Sequence, residues 1–206
     1  MKRVLVSLAL TCALGAPSLA KTVLPTLFSG DGVSSGEVID IHAEPNDTSP
    51  IIAHIPSDSR DIEVVAVDDS KAWGRVNHAE ASGWLPLERA AEQKDVWKPG
   101  ELPQGTSCYG TEPFWSLQTL EDSAVFSTIG EQATTLPNTG IFDSGQSNDQ
   151  RRVSVFEDDA LRLTLITSPG LCSDGMSDRA FGLTGHMIHE AGHLPDLLRG
   201  CCSIAP

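Results

Sequence analysis

Short apolar runs with turn residues between them constrain the fold of this chain most strongly. Between residues 33 and 89 the runs span about four to six residues, are rich in Val and Ile, and are interrupted by turns about every eight to twelve positions. No apolar pattern with the 3.6-residue period of a helix persists through this region. The first half is therefore predicted to be a small barrel or sandwich of antiparallel strands.

The second half carries strand signals too. Leucine alternates with polar residues over 161–165, the period-two pattern of a strand with one wet face. The run 153–156 precedes it, and 157–159 is a compact hairpin turn between the two. Residues 130–152 are polar and turn-rich, which predicts a long loop with one strand at 140–142. The whole chain is thus predicted to be mostly β.

The first twenty residues have the three parts of a secretory signal. Lys2 and Arg3 form a basic start, 4–14 is apolar, and 18–20 supplies small residues for cleavage after Ala20. The apolar run is too short to span a bilayer, and no later stretch is long enough. We therefore predict export to the periplasm or the medium, with no membrane span.

The net charge of the chain is strongly negative, at −14. Cleavage after Ala20 would remove Lys2 and Arg3 but no acid, which would take the charge to −16. This sign disfavours nucleic acid and anionic lipid as partners and favours basic ones. Solubility alone is the other interpretation of such a charge.

Four cysteines remain in the predicted mature chain, all after residue 107. An even number in an exported chain predicts two disulfides. A bond between the neighbours Cys201 and Cys202 would need a small strained ring, so Cys108 and Cys172 are expected to pair with these two, in either order. Zinc bound by four thiolates is disfavoured, because the spacing lacks a CxxC string and the compartment is oxidising.

The order of segments in the first half resembles the bacterial SH3 (SH3b) domain. A first strand with a Pro-containing loop at 38–45 is followed by a strand that ends before a polar turn at 51–55 and by a Val-rich strand at 62–67. Trp-x-x-Val at 73–76 and Gly-Trp at 83–85 complete the order seen in that family. The resemblance implies a small SH3-like barrel over 33–89 that recognises cell-wall peptide or a protein partner. It makes Trp84 and His42 candidate ligand contacts, although His42 stands where an arginine is common.

Three strings in the second half resemble an uncharacterised family of small bacterial envelope proteins. They are Cys-Tyr-Gly-Thr-Glu-Pro-Phe-Trp at 108–115, Cys-Ser-Asp-Gly-Met-Ser-Asp at 172–178, and Gly-Cys-Cys at 200–202. The resemblance supplies no activity. Of Phe114 and Trp115, at least one is expected in the core and the other is a candidate surface anchor, with Trp115 taken as a candidate ligand contact.

The string His-Glu-Ala-Gly-His at 189–193 matches the HExxH pattern of zinc peptidases. That chemistry needs one helical turn between the histidines. Gly192 costs a helix about 1 kcal/mol and Pro195 about 3 kcal/mol in its interior. Residues 181–188 alternate as a strand would, 190–192 would be a hairpin turn, and 193–199 the returning strand. We therefore predict no metal site here.

Other catalytic patterns are missing or explained by turns. The sequence has no GxSxG, Walker or dinucleotide-binding string. The acidic residues Glu112, Asp174 and Asp178 could form a carboxylate pair or a calcium site, but their Asp-Gly and Ser-Asp neighbours favour turns. No catalytic residue and no cofactor is predicted.

The function hypothesis is therefore a non-enzymatic envelope protein. It has a signal peptide (1–20), an SH3b-like domain (33–89), a Pro- and Gly-containing linker (90–107) and a disulfide-bonded antiparallel β domain (108–206), and it serves as a binding or adaptor module for cell-wall peptide or an envelope protein. The first alternative is an inhibitor of a basic hydrolase such as lysozyme, on account of the charge. The least favoured alternative is a zinc peptidase using His189, Glu190 and His193. The oligomeric state stays open.

Overall fold

The computed structural model describes residues 23–30, 34, 36–192 and 194–205. The predicted signal peptide at 1–20 lies outside the described residues, and so does His193. Within the described ranges nearly all the regular structure is strand, and the 3-10 helix at Leu87–Arg89 lies among the strands of the first half. The mostly-β prediction is confirmed. Among these residues, no helix has the length and apolar character needed to cross a membrane.

The first half contains eight strands in two antiparallel sheets. One sheet has the order β3-β2-β7-β6-β5 and the other β4-β1-β8. The segments predicted at 38–42, 51–55, 73–76 and 83–85 are found as strands, whereas the run predicted at 62–67 is divided at Val65 into two strands of different sheets. The bounds are β1 Thr26–Ser29, β2 Val38–His42, β3 Ile51–Pro56, β4 Ile62–Val64, β5 Ala66–Val67, β6 Trp73–His78, β7 Ala81–Pro86 and β8 Ala91–Glu92.

The two sheets of the first half share a core of aliphatic side chains. Ile39 and Ile41 are buried two positions apart on β2, as strand alternation requires, and they pack with Val64 and Leu85. Burying such a side chain contributes about 1.5–3 kcal/mol. β1 pairs with both β4 and β8, so the sheets of this half include strands outside the predicted 33–89 range.

The second half is a closed antiparallel barrel of eight strands. Its order is β10-β11-β12-β13-β14-β15-β16-β9, and β16 closes the ring on β9. The bounds are β9 Ser107–Thr111, β10 Phe114–Thr119, β11 Ser123–Thr128, β12 Thr134–Phe142, β13 Arg152–Glu157, β14 Arg162–Cys172, β15 Phe181–Glu190 and β16 Asp196–Ser203. Alternate residues fill the interior, among them Leu117, Phe156, Leu163, Leu165 and Met187.

Two expectations for this half are corrected by the barrel. The stretch 130–152 is not one long loop, because Thr134–Phe142 forms β12 and pairs with strands on both sides. Its polar residues face outwards while Leu136 is buried. The strand that returns after Glu190 runs over Asp196–Ser203 rather than 193–199, because its C-terminal residues pair with β9.

Two disulfides staple the barrel. Cys108 bonds to Cys202 and Cys172 bonds to Cys201, one of the two schemes that the sequence left open. The first bond joins directly opposed residues of β9 and β16 inside the core, where the barrel closes. The second ties the end of β14 to β16. The disulfide prediction is confirmed.

The two halves pack against each other. The Asn77 side chain donates to the carbonyl of Ala180 (2.8 Å) and accepts from its N–H (2.9 Å). The Ile204 N–H donates to the Glu63 carboxylate at 3.0 Å. In the predicted linker, Trp97 packs against the barrel core, and its Nε1–H donates to the Pro25 carbonyl at 2.8 Å. The stretch between the halves is thus a packed segment.

Candidate functional site

The structure places the two ligand candidates of the first half beside each other. His42 and Trp84 are paired across β2 and β7. His42 is only 7% exposed, its Nδ1 lies 3.1 Å from the Ser49 carbonyl, and its ring meets Trp73 edge-on at 5.2 Å. A carbonyl only accepts, so Nδ1 is the donor. His42 therefore holds the loop after β2, whereas the half-buried Trp84 reaches the surface.

Trp115 lies inside the barrel. This position does not fit the prediction that Trp115 contacts a ligand directly. Its side chain is 3% exposed, and its indole N–H donates to the Arg199 carbonyl at 3.3 Å. Gly110 allows this position, because a Cβ there would lie 1.9 Å from the indole nitrogen. The neighbouring Phe114 is 44% exposed. At this point of the chain the surface anchor is Phe114, and its contact with a ligand stays a prediction.

The three motif strings of the second half meet around one concavity of about 290 Å³. We call it the motif pocket. The first string contributes Tyr109, Thr111 and Glu112, the second Cys172, Ser173 and Asp174, and the third Gly200 and Cys201, with the adjoining Arg199. The sequence had identified the strings but not their meeting point, which depends on the loop 173–180 folding against β9 and β16.

Two fixed links hold the walls of the motif pocket. The Cys172–Cys201 disulfide joins the second string to the third. The Thr111 hydroxyl donates to the Asp174 carbonyl at 3.2 Å and so joins the first string to the second. Since all three strings belong to, or are tied to, a closed barrel, the pocket is a preformed site.

Asp174 shapes the loop that lines the motif pocket. Its Oδ1 accepts from the N–H groups of Met176 and Ser177, both at 3.0 Å, and its Oδ2 accepts from the Ser177 hydroxyl at 2.9 Å. Burial favours the neutral acid, but these hydrogen bonds and the charge of Arg179 outweigh it and lower the pKa of Asp174. Asp174 therefore acts as an ionised turn cap, as the sequence indicated.

The remaining groups of the motif pocket suit binding. Arg199 and Glu112 are exposed and offer a cation and an anion, and Tyr109 adds an exposed ring. Two exposed apolar side chains, Leu171 and Met176, belong to or adjoin the second string. Both cysteines of the pocket are in a disulfide, so neither supplies a thiolate nucleophile.

The first two residues of the HExxH string lie on a strand and not on a helix. His189 and Glu190 end β15, where consecutive side chains point to opposite faces. The His189 ring packs near Phe126 at 5.6 Å, whereas Glu190 lies 3.6 Å from Arg162. The strand prediction is confirmed for this part, and the helical arrangement that the peptidase chemistry requires is not formed by residues 181–190.

Comparison with known proteins found no match to this chain. No family model matches the chain, and neither a curated protein nor a solved structure does. Function is therefore inferred from the geometry of the molecule.

Proposed function

We propose that this protein is an exported binding module of the bacterial envelope, and that it recognises cell-wall peptide through the motif pocket. One observation carries the proposal: three strings far apart in the sequence converge on a single concave surface. Concave, preformed surfaces with a few convergent polar groups are where proteins bind small ligands.

Rigidity of the motif pocket favours affinity. A ligand that binds a preformed site does not incur the entropy cost of ordering the protein. The closed barrel fixes β9 and β16, and the Cys172–Cys201 bond fixes the loop opposite them. The pocket therefore needs little rearrangement on binding.

The charged groups of the pocket indicate the chemistry of the ligand. The planar guanidinium of Arg199 suits a carboxylate, with which it can form two parallel hydrogen bonds. Glu112 suits an ammonium group, and Tyr109 offers a ring for apolar contact. Cell-wall peptides are short and carry free carboxylates and amines. A peptide of this kind matches all three side chains.

The first half supports an adaptor role. Its resemblance to SH3b domains implies peptide recognition, and the half-buried Trp84 stands beside His42 at the candidate position. The signal-like residues 1–20 and the two disulfides favour a periplasmic or secreted location. A protein of this design would bind peptide with the barrel and contact a second component with its first half.

Retention on purified peptidoglycan tests the proposal. The mature protein, residues 21–206, should be retained at low salt, and Arg199→Ala should weaken the affinity about tenfold through loss of a charged hydrogen bond. The matched control is Arg151→Ala, an exposed arginine outside the motif pocket. No retention of the wild type, or equal weakening by both substitutions, would refute the assignment.

The role of the first half is tested separately with Trp84→Ala. If the pocket alone binds the cell wall, this variant is retained like the wild type. A loss with Trp84→Ala but not with Arg199→Ala would move the binding site to the SH3b-like half and away from the motif pocket.

A further inference from the structure

Exposed apolar side chains gather at one end of the barrel. The turns after β11, β13 and β15 lie at the same end, because these strands run in the same direction in the antiparallel ring. We call this surface the turn end; it comprises residues 129–133, 158–162, 190–192 and 194–197. Ile129 is 74% exposed there, Leu194 87% and Leu197 70%.

The exposed side chains of the turn end are not part of the barrel core. Phe126, Leu163 and Met187 fill the interior and are almost completely buried. Single exposed apolar residues are normal on a protein surface, whereas a group at one place marks an interaction site. Ile129, Leu194 and Leu197 are three such large aliphatic side chains, and all of them lie at the same end of the barrel.

The turn end is also acidic. Its residues include five carboxylates and one arginine, Arg162. The guanidinium of Arg162 lies 3.1 Å from Glu157 and 3.6 Å from Glu190, so its charge is already offset. Asp158 accepts hydrogen bonds from the N–H groups of Ala160 and Leu161, which lower the pKa of Asp158 and keep it ionised.

We infer that the turn end is a docking surface for a protein whose own surface combines an apolar patch with basic residues. Interfaces of this kind have an apolar centre and a charged rim, and opposite charges speed association. A second copy of this chain is disfavoured, since two acidic ends repel each other. Nucleic acid is disfavoured on the same ground. The turn end adjoins the motif pocket, because the turn after β9, which carries Glu112, lies at the same end of the barrel. The exposed isoleucine and leucines of the turn end do not line the pocket, so this surface does not depend on the assignment of the pocket.

Binding to small basic proteins tests the inference. Lysozyme and cytochrome c serve as probes over the immobilised mature protein, and their Kd is measured at low and moderate salt. The double variant Ile129→Ser/Leu197→Ser should weaken probe binding about tenfold, because apolar anchors at an interface centre dominate its affinity. Its control is Leu120→Ser, an exposed leucine in the turn between β10 and β11, at the opposite end.

A second pair of variants separates a docking surface from general acidity. Glu131→Gln/Asp159→Asn removes two charges from the turn end, and Asp47→Asn/Asp69→Asn removes two exposed charges from the first half. The turn-end pair should lower the association rate and its salt dependence more than the other pair. Equal effects of the two pairs, equal effects of the serine variants, or failure of both probes to bind at low salt would overturn the inference.

Discussion

Glu63 provides the sharpest test of how the two halves are joined. This carboxyl group lies buried between β4 and the last residues of β16, where it accepts hydrogen bonds from the Ser203 hydroxyl and the Ile204 N–H. Burial raises the pKa of Glu63 above its ordinary value of 4.5, and the two hydrogen bonds and the charge of Arg179 offset part of that rise. The proton on Glu63 is therefore linked to folding.

The sign of the linkage follows from the direction of the shift. With a folded-state pKa above the unfolded one, the folded protein holds more protons between the two values. The stabilisation is fully present below pH 4.5 and is lost as the pH rises through the folded-state pKa of Glu63. One group changes the free energy of unfolding by at most about 1.4 kcal/mol per pH unit. Arg179, Arg60 and Asp61 are the charged residues that line the same cleft.

Substitution of Glu63 by glutamine should remove this pH dependence. The amide oxygen can accept from the Ile204 N–H as the carboxylate does, and the amide NH2 can donate to the Ser203 oxygen. The Ser203 hydroxyl can then donate to the Ala205 carbonyl, 3.4 Å away. The amide thus keeps both partners of the carboxylate, and no charge is buried. At neutral pH the Glu63→Gln protein should be more stable than the wild type, and the pH-dependent part of the difference cannot exceed about 1.4 kcal/mol for each pH unit above 4.5.

Urea unfolding between pH 4.5 and pH 8 measures the effect. The difference in the free energy of unfolding between Glu63→Gln and the wild type should grow with pH and then level off. Glu121→Gln, at an exposed acid of the β10–β11 turn, is the matched control and should show no such trend. Carboxyl groups with a lowered pKa, such as that of Asp149, titrate at more acidic pH. They are present in both proteins, so their contributions cancel in the difference between Glu63→Gln and the wild type. Parallel pH profiles of the wild type and Glu63→Gln would refute the reasoning.

Three further predictions concern the barrel and its charge. Replacing both cysteines of the Cys108–Cys202 bond by serine should lower the free energy of unfolding by about 2–5 kcal/mol. The loss should be larger than for the same change at Cys172–Cys201, because the first bond closes a loop of 94 residues and the second a loop of 29. Urea titration of both variants under non-reducing conditions measures the difference. Gly110→Ala should cost about 1–3 kcal/mol, seen as a lower Tm, because its Cβ would collide with the indole behind it, and an unchanged Tm would contradict the packing described here. The mature protein in excess should reduce lysozyme activity on bacterial cell walls if the hydrolase-inhibitor alternative holds, and undiminished activity would dismiss that alternative.

Local patterns in the sequence were sufficient for most of the strands. Val and Ile runs predicted β2, β3, β6 and β7, and alternating leucines predicted β14, because both depend on which face of a strand is buried. The run 62–67 was predicted as one strand but forms β4 and β5, and β1 and β8 lie outside the predicted range. The pairing of Cys108 and Cys172 with the C-terminal cysteines was narrowed to two schemes by the geometry of a disulfide alone. β12 was missed, since its Thr, Pro, Asn and Gly residues resemble a loop until strands on both sides pair with it.

The candidate site was less accessible from the sequence. The burial of Trp115 could have been predicted, because Trp115 and Leu117 alternate with the polar Ser116 and Gln118 and so share the inner face of the strand. Closure of the barrel by β9 and β16 could not be predicted, since it joins residues about ninety positions apart without a local signal in the sequence. The motif pocket depends on that closure, so the three strings could be recognised but not brought together.

The loop after β14 connects the motif pocket to the first half. At its start, Cys172 is bonded to Cys201 and the Asp174 carbonyl accepts from Thr111, so the loop forms a wall of the pocket. At its end, the backbone N–H of Asp178 donates to the Glu80 carbonyl at 2.9 Å, and Asn77 holds both backbone groups of Ala180. Because fixed contacts hold the loop at both ends, the pocket wall and the packing of the two halves are parts of one structure. Separation of the halves would therefore release the support of a pocket wall, and loss of the disulfide would loosen the contact between the halves.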